Sequence, residues 1–227
     1  MNILILNYEY PPIGGGASNA SFFLSKALVK SGHRVTVISS SYHLLRGYSY
    51  ENNIHVYRVP AFRKREDRSG IKEMLSFVIS AYWNVSKIIK CQKIEKMIVF
   101  FTIPSGLIAP YIKKKYHIPY IISLRGGDVP GLVPELNYVH KTIKKIRQGI
   151  LKNAVAVVAN SKGLAALSEK TDPFPVKIIP NGVDVNFFSP QPEMELKNDK
   201  IKFLFVGRFQ PQKNLFFLLE QFQKFSN

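Results

Sequence analysis

Short apolar runs alternate with longer stretches of helical periodicity along most of the chain. Asn2–Asn7 (NILILN) is continuously apolar, as expected of a strand covered on both faces of a parallel sheet. From Ala17 to Lys30 apolar residues recur at Ala20, Phe23/Leu24 and Ala27/Leu28, which is helical spacing. Ser31-Gly32 supplies the stop, because Gly accepts the left-handed conformation in which helices commonly end. Arg34–Ser39 (RVTVIS) and Ile54–Pro60 (IHVYRVP) predict the next two strands. Ile71, Leu75, Val78/Ile79, Tyr82, Val85 and Ile88/Ile89 predict a long amphipathic helix with Trp83 near its middle. A strand at Lys96–Phe101, a helix at Ser105–Tyr116 and a strand at Tyr120–Leu124 follow. The pattern then predicts one helix from about Pro134 to Leu151, a strand at Ala154–Ala159, a short helix after Asn160-Ser161 and a strand at Val176–Ile179.

Alternation of this kind predicts an α/β fold with a doubly wound parallel sheet, since right-handed crossovers place helices on both faces. Ser189 to Lys200 (SPQPEMELKNDK) is polar and aperiodic and reads as an interdomain linker. The pattern restarts after it, with a strand at Ile201–Val206, a loop at Gly207–Lys213 and a helix at Asn214–Phe225. The expected organisation is a doubly wound α/β domain over 1–188, a linker over 189–200, and the first strand and helix of an incomplete second domain over 201–227. One βα unit cannot bury its own apolar faces. The last residues are therefore expected to belong to a domain of which this chain carries only the opening.

Composition narrows the classes. Hydrophobic residues make up 46% and charged residues 21% of 227, which argues against disorder. The single cysteine, Cys91, forms no internal disulfide and no metal site by itself, so a reducing, cytosolic compartment fits. The most apolar stretch, Met97 to Ile112, is broken by Thr102, Pro104, Ser105, Gly106 and Pro110, whereas a membrane span needs roughly 20 mostly apolar residues. The immediately apolar N-terminus reads as a buried strand and not as a signal peptide.

Charge is the unusual quantity: 32 Lys+Arg against 15 Asp+Glu give +17. The balance predicts attraction to nucleic acid, an acidic membrane surface or a phosphorylated substrate, without choosing among them. A basic set on two neighbouring helices, Lys113, Lys114, Lys115, Lys141, Lys144, Lys145, Arg147 and Lys152, points with Trp83 to an anionic membrane surface. A cytoplasmic protein, peripheral on the inner face of the membrane, is the corresponding expectation. A solvated basic face is the competing reading. Nucleic acid is disfavoured, because the aromatics are embedded in strand and helix periodicities and no RNA-binding signature is present.

Four loops carry candidate chemistry. Tyr8 to Gly16 (YEYPPIGGG) joins the first strand to the first helix, where glycines admit a ligand to the backbone and a helix N-terminus favours negative charge. It is neither G-x-G-x-x-G nor a Walker loop, and a plain turn into the helix is the alternative. Arg125-Gly126-Gly127-Asp128 follows a strand's carboxyl end, where open α/β sheets bind ligands. Arg and Asp there offer a phosphate clamp and a hydroxyl acceptor, or else an ion pair that orders the loop. Asn181-Gly182-Val183-Asp184 reads first as a turn. Arg208 and Lys213 flank the first strand–helix loop of the second domain and suit a diphosphate, although such a pair is common on surfaces.

The order of these segments is more specific than any one of them. A strand, GGG and helix are followed by SGHRVTV, SLRGGDVPG, VANSKGL, KIIPNGVDVNFF and FLFVGRFQPQKN. The series resembles the GT-B glycosyltransferases of family 4 over nearly the whole chain. A GT-B-like epimerase or phosphorylase relative is a poorer match, because the NGVD and GRFQPQKN segments favour the transferase.

The resemblance implies two Rossmann-like domains facing a cleft, and retaining transfer of sugar from a nucleotide-diphosphate sugar without a bound metal or other cofactor. The acceptor, a glycan or lipid-linked carrier of cell-surface polysaccharide or lipopolysaccharide synthesis, falls mostly to the N-terminal domain and the donor to the C-terminal one. It places Gly14, Gly15 and Gly16 near the donor phosphates and acceptor, and matches Arg208 and Lys213 to the residues that neutralise the departing diphosphate. Many members carry a histidine in the loop that is here Arg125 to Asp128, so Asp128, with Arg125, becomes the catalytic candidate. The family's Glu-x7-Glu donor segment lies downstream of the Arg/Lys loop; Glu220, inside the following helix, is not part of it. The 227 residues alone are accordingly expected to lack transfer activity, or to be a non-catalytic acceptor-binding half that pairs with a separate donor-domain chain.

Overall fold

The computed structural model describes residues 1–133, 136–189, 203–207, 209 and 213–226. The chain separates into two compact units, Met1–Gly182 and Val183–Asn227.

The first unit is built on eight strands: β1 (Asn2–Leu6), β2 (Arg34–Ser40), β3 (Gly47–Glu51), β4 (Ile54–Val59), β5 (Lys96–Phe100), β6 (Tyr120–Leu124), β7 (Ala156–Ala159) and β8 (Val176–Ile178). They form one sheet in the order β3-β4-β2-β1-β5-β6-β7-β8. Every pairing is parallel except β3 with β4. The expected doubly wound α/β architecture is therefore present, with one antiparallel edge strand added.

Among the described residues six α-helices belong to this unit: α1 (Gly16–Lys30), α2 (Ile71–Gln92), α3 (Ala109–Tyr116), α4 (Asn137–Thr142), α5 (Lys144–Asn153) and α6 (Lys162–Thr171). A 3-10 turn at Ser105–Ile108 leads into α3. The core is the central strands: Leu4, Ile5, Leu6, Val35, Val37, Val99 and Ile122 are wholly buried, which is why they read as unbroken apolar runs. Phe77, Ala81 and Val85 bury one face of α2 against them. Gly32 closes α1 with φ +79°, the conformation its sequence position predicts.

Three local expectations are corrected. The segment from Pro134 to Leu151 is not one helix: α4 and α5 are separate, and Pro134 and Glu135 lie outside the described residues. The break has a side-chain cause. Arg147 Nη1 donates to the carbonyl of His140 at 2.8 Å, occupying an acceptor that a continuous helix would use for its own ladder. Second, β3 forms a hairpin with β4 through Asn52 and Asn53, both at positive φ (51° and 59°) as a type I′ turn demands. Third, Asn181-Gly182 makes no turn; the hydrogen-bonded turn lies further on, where Asp184 Oδ1 accepts from the amides of Asn186 and Phe187.

In the second unit, α7 (Leu215–Ser226) confirms a helix close to the expected bounds. Phe203 to Val206 carry no strand, and Ile201 and Lys202 lie outside the described residues, as does most of the expected linker. The absent strand has a simple reason: a β-strand needs a hydrogen-bonded neighbour, and none is provided among the described residues of this unit.

Candidate functional site

The strand order reverses between β1 and β5, so the crevice at their carboxyl ends is the sheet's topological switch point. The loops leaving β1, β5, β6 and β8 all emerge on that edge. The first is stitched down at once. Asn7 Nδ2 donates to Ser21 Oγ at 2.9 Å, fixing the loop to α1. The Tyr8 amide donates to Ser105 Oγ at 3.1 Å, and Ser40 Oγ donates to the Tyr8 carbonyl at 2.6 Å. Tyr8 is thus held between the ends of β2 and β5. Burial, then the adjacent Glu9 carboxylate, pushes its phenol well above the ordinary tyrosine value, so the hydroxyl stays neutral.

The three glycines differ. Gly14 has φ +96°, and a Cβ there would stand 2.7 Å from Glu9 Cβ and Oε2. Its amide donates to the Glu66 carbonyl at 2.8 Å. Glu9 faces Arg63 at 3.5 Å with both side chains buried, and Arg63 also donates to the carbonyls of Arg65 and Glu66. The 63–66 segment is thereby fastened to the glycine loop. Gly15 and Gly16 meet nothing within 4 Å of an added Cβ. They open α1, whose N-terminus has neither a side-chain cap nor an acid in its first turn. Its free amides present partial positive charge to the crevice.

Asp128 is 2% exposed, and its carboxylate organises the loop after β6. Oδ1 accepts the amides of Arg125 (3.0 Å) and Gly126 (3.1 Å). Oδ2 accepts the amide (2.8 Å) and hydroxyl (3.2 Å) of Thr102. Arg125 does not turn toward Asp128. Its guanidinium lies 4.3 Å from the Phe100 ring centroid, and Nη1 donates to Asn181 Oδ1 at 2.7 Å. Burial lowers its pKa, countered by the Asp128 charge. The RGGD and NGVD segments are therefore joined, the second by a side chain and not by a turn.

His140 of α4 supports the same loop from below. Its Nε2 donates to the Gly127 carbonyl at 3.1 Å, and its Nδ1 is buried without a partner. Burial is the leading cause that lowers its pKa. Beneath it Arg147 makes a buried bidentate pair with Asp172, at 2.6 and 3.1 Å. Arg147 therefore leaves the expected surface-basic set: a carboxylate and the His140 carbonyl consume its charge inside the unit.

Of the remaining expected site residues, Arg208 lies outside the described residues, and Lys213 is exposed two residues before α7. Glu9, Arg63, Thr102 and His140 were not expected; each acts through a partner distant in sequence, which periodicity does not reveal. Among the described residues no group of three His, Cys, Asp or Glu side chains is placed to share a metal ion.

The sequence pattern of Glycosyltransferase Family 4 matches residues 14–187. The chain belongs to glycosyltransferase family 4. It is 26% identical to an uncharacterized glycosyltransferase of Methanocaldococcus jannaschii, over 97% of this chain and 56% of that protein. Among solved structures it is similar to sucrose-phosphate synthase from Thermosynechococcus elongatus, with TM-score 0.68, 16% identity, and 84% of this chain and 50% of that one covered. The catalytic domain of starch synthase IV from Arabidopsis thaliana, bound to ADP and acarbose, gives TM-score 0.58 at 13% identity, covering 86% of this chain and 54% of that one. Os79 from O. sativa in complex with UDP gives TM-score 0.53 at 14% identity, covering 78% and 50%. The chain thus spans about half the length of the GT-B relatives just named. Its sheet is the Rossmann-like layer of that fold.

Proposed function

We propose that this family 4 chain is the acceptor-side half of a retaining glycosyltransferase that uses a nucleotide-diphosphate sugar. One observation carries the reading: the uncapped N-terminus of α1 and the Asp128-ordered RGGD loop converge on the sheet's switch point. Backbone amides there suit the developing negative charge of a departing phosphate. Solved relatives holding ADP or UDP support a nucleotide donor. Gly15 and Gly16 lie nearest the donor phosphates, and Gly14 sets the loop's path. Arg125, held over Phe100, faces the acceptor and phosphates, while Asp128 is a positioning residue, its oxygens being spent on the loop.

The donor side falls to a second domain that residues 201–227 begin. Arg208 and Lys213 neutralise the leaving diphosphate there, and a downstream Glu-x7-Glu segment holds sugar and ribose. No protein-bound metal or organic cofactor takes part. The acceptor is a glycan or lipid-linked carrier in cell-surface polysaccharide or lipopolysaccharide assembly, met on the cytoplasmic side of a membrane.

The test is transfer of labelled sugar from several nucleotide-diphosphate sugars into a glycan and lipid extract. One arm holds residues 1–227 alone; the other adds a family donor domain, in trans or fused. Transfer in the second arm only, with the anomeric configuration kept, supports the reading. Transfer in neither arm, or an inverted product, overturns it. Transfer by the chain alone keeps the activity and overturns the division of labour.

A further inference from the structure

Helix α2 is apolar on two faces, and only one is used by the core. Phe77, Ala81, Val85 and Ile88 face the sheet. Ile71, Leu75, Ile79, Tyr82 and Trp83 lie in a second stripe spaced by three and four residues and are exposed, Trp83 at 75% and Ile79 at 60%. Phe62, 80% exposed, is tethered to the same helix by its amide, which donates to Ser76 Oγ. Scattered apolar residues on a surface need no explanation, but a contiguous stripe does.

The stripe continues onto α3. The Tyr82 and Tyr111 rings lie 4.5 Å apart, and Tyr116 Oη donates to Ser86 Oγ at 2.6 Å. Between the helices a groove of about 300 Å³ is floored by Leu107 and Ile108 and walled by Ile79, Trp83 and Tyr111. The charge around it has one sign. Lys72, Lys87 and Lys90 border the stripe on α2, and Lys114 and Lys115 stand exposed on α3. α3 has no acid, and the single acid of α2, Glu73, is spent on the amides of Lys64 and Gly70.

An apolar stripe with an aromatic at its centre, rimmed by lysines and free of available carboxylates, is complementary to the interface of an anionic bilayer. We propose that the α2–α3 face, with Trp83 and Ile79 inserted, seats this unit on an anionic membrane. The groove floor belongs to the 3-10 turn that begins at Ser105, whose hydroxyl anchors the glycine loop, so the membrane-facing surface and the switch-point crevice share one short segment. A lipid-linked acceptor lying in the bilayer would meet the crevice there. That last step rests on the transferase reading; the bilayer contact does not.

Trp83 is the only tryptophan in the chain, which makes it a site-specific reporter. The full chain is titrated with vesicles of phosphatidylcholine, with and without about one-third phosphatidylglycerol, and no sugar donor. The expected result is a blue shift of Trp83 emission on anionic vesicles, quenched by brominated acyl chains and weakened by salt. Ile79→Ser should weaken binding about tenfold, and Lys87→Gln or Lys115→Gln roughly fivefold each. Co-sedimentation without any Trp83 shift means adsorption through another basic face and overturns the proposal. So does an absence of binding, or blue-shifted emission without vesicles in a chain that sediments as a dimer. Because no transfer is measured, a negative outcome leaves the glycosyltransferase reading untouched.

Discussion

The Asp128 carboxylate receives the Thr102 amide at 2.8 Å and so ties the loop after β6 to the loop after β5. The two loops come from neighbouring strands on one side of the switch point, and their relative position defines one wall of the crevice. A buried carboxylate that accepts four hydrogen bonds is a structural keystone first. Its effect on chemistry runs through the backbone it arranges.

Asp128→Ala should therefore destabilise the first unit by about 2–4 kcal/mol, since it strands buried amides that a smaller side chain cannot satisfy. Asp128→Asn restores one acceptor and turns an NH2 toward donors, so it should recover only part of the loss. Urea unfolding of the three proteins checks this. An Asp128→Ala protein as stable as the parent would show that the loop holds itself.

The two residues of the Gly14-Gly15 pair should respond unequally. Gly14→Ala combines a left-handed φ with a 2.7 Å approach to Glu9, and a cost of about 1–3 kcal/mol is expected. Gly15→Ala meets open space and should stay within about 0.5 kcal/mol of the parent. Adding Glu9→Gly to Gly14→Ala removes the clash, the Glu9 Cβ included, but not the φ strain, so it should rescue only partly. Thermal melts of the set separate the two terms; full rescue would assign the whole effect to the Glu9 contact.

The central strands were legible because burial on both faces leaves no choice but apolar residues: β1, β2, β5 and β6 fall within a residue of their expected bounds. β3 was missed because an exposed edge strand tolerates polar residues, and GYSYE shows its pattern only through Tyr48 and Tyr50 and the Asn-Asn turn that follows. The division of α4 from α5 was not legible, since it depends on Arg147 reaching the His140 carbonyl and on Asp172 far along the chain. The site was half legible. Its loops followed from glycines after strands, but what Arg125 and Asp128 each touch depends on Phe100, Thr102 and Asn181, which only the sheet brings close.

The Arg147–Asp172 pair is buried on both sides, so removing one partner strands a charge. Arg147→Met should cost about 3–5 kcal/mol, whereas Arg147→Met with Asp172→Leu should cost much less. The same variants free the His140 carbonyl, and helical content near residue 143 should rise in the double variant. Denaturant unfolding and amide exchange at Ile143 to Arg147 read the two effects separately. Equal destabilisation by the single and double variants would mean that packing, and not charge, makes the pair matter.

His140 gives the first unit a pH dependence whose sign is fixed by its surroundings. Its pKa is depressed by burial, and by the Arg147 charge, against the Gly127 hydrogen bond and the carboxylates of Asp128 and Asp172. The folded state therefore favours the neutral ring, with Nε2–H bound to the Gly127 carbonyl and Nδ1 bare. The unfolded chain binds its proton near the ordinary value of about 6.5, before the folded one does. Stability from this residue is complete above that value. It declines as pH falls below it, until the folded pKa is reached. His140→Gln keeps a donor for Gly127 but does not titrate, so its unfolding free energy should fall less steeply than the parent's as pH drops below about 6.5. Parallel slopes for the two proteins would place the acid sensitivity elsewhere, and steeper loss in the variant would reverse the assigned sign.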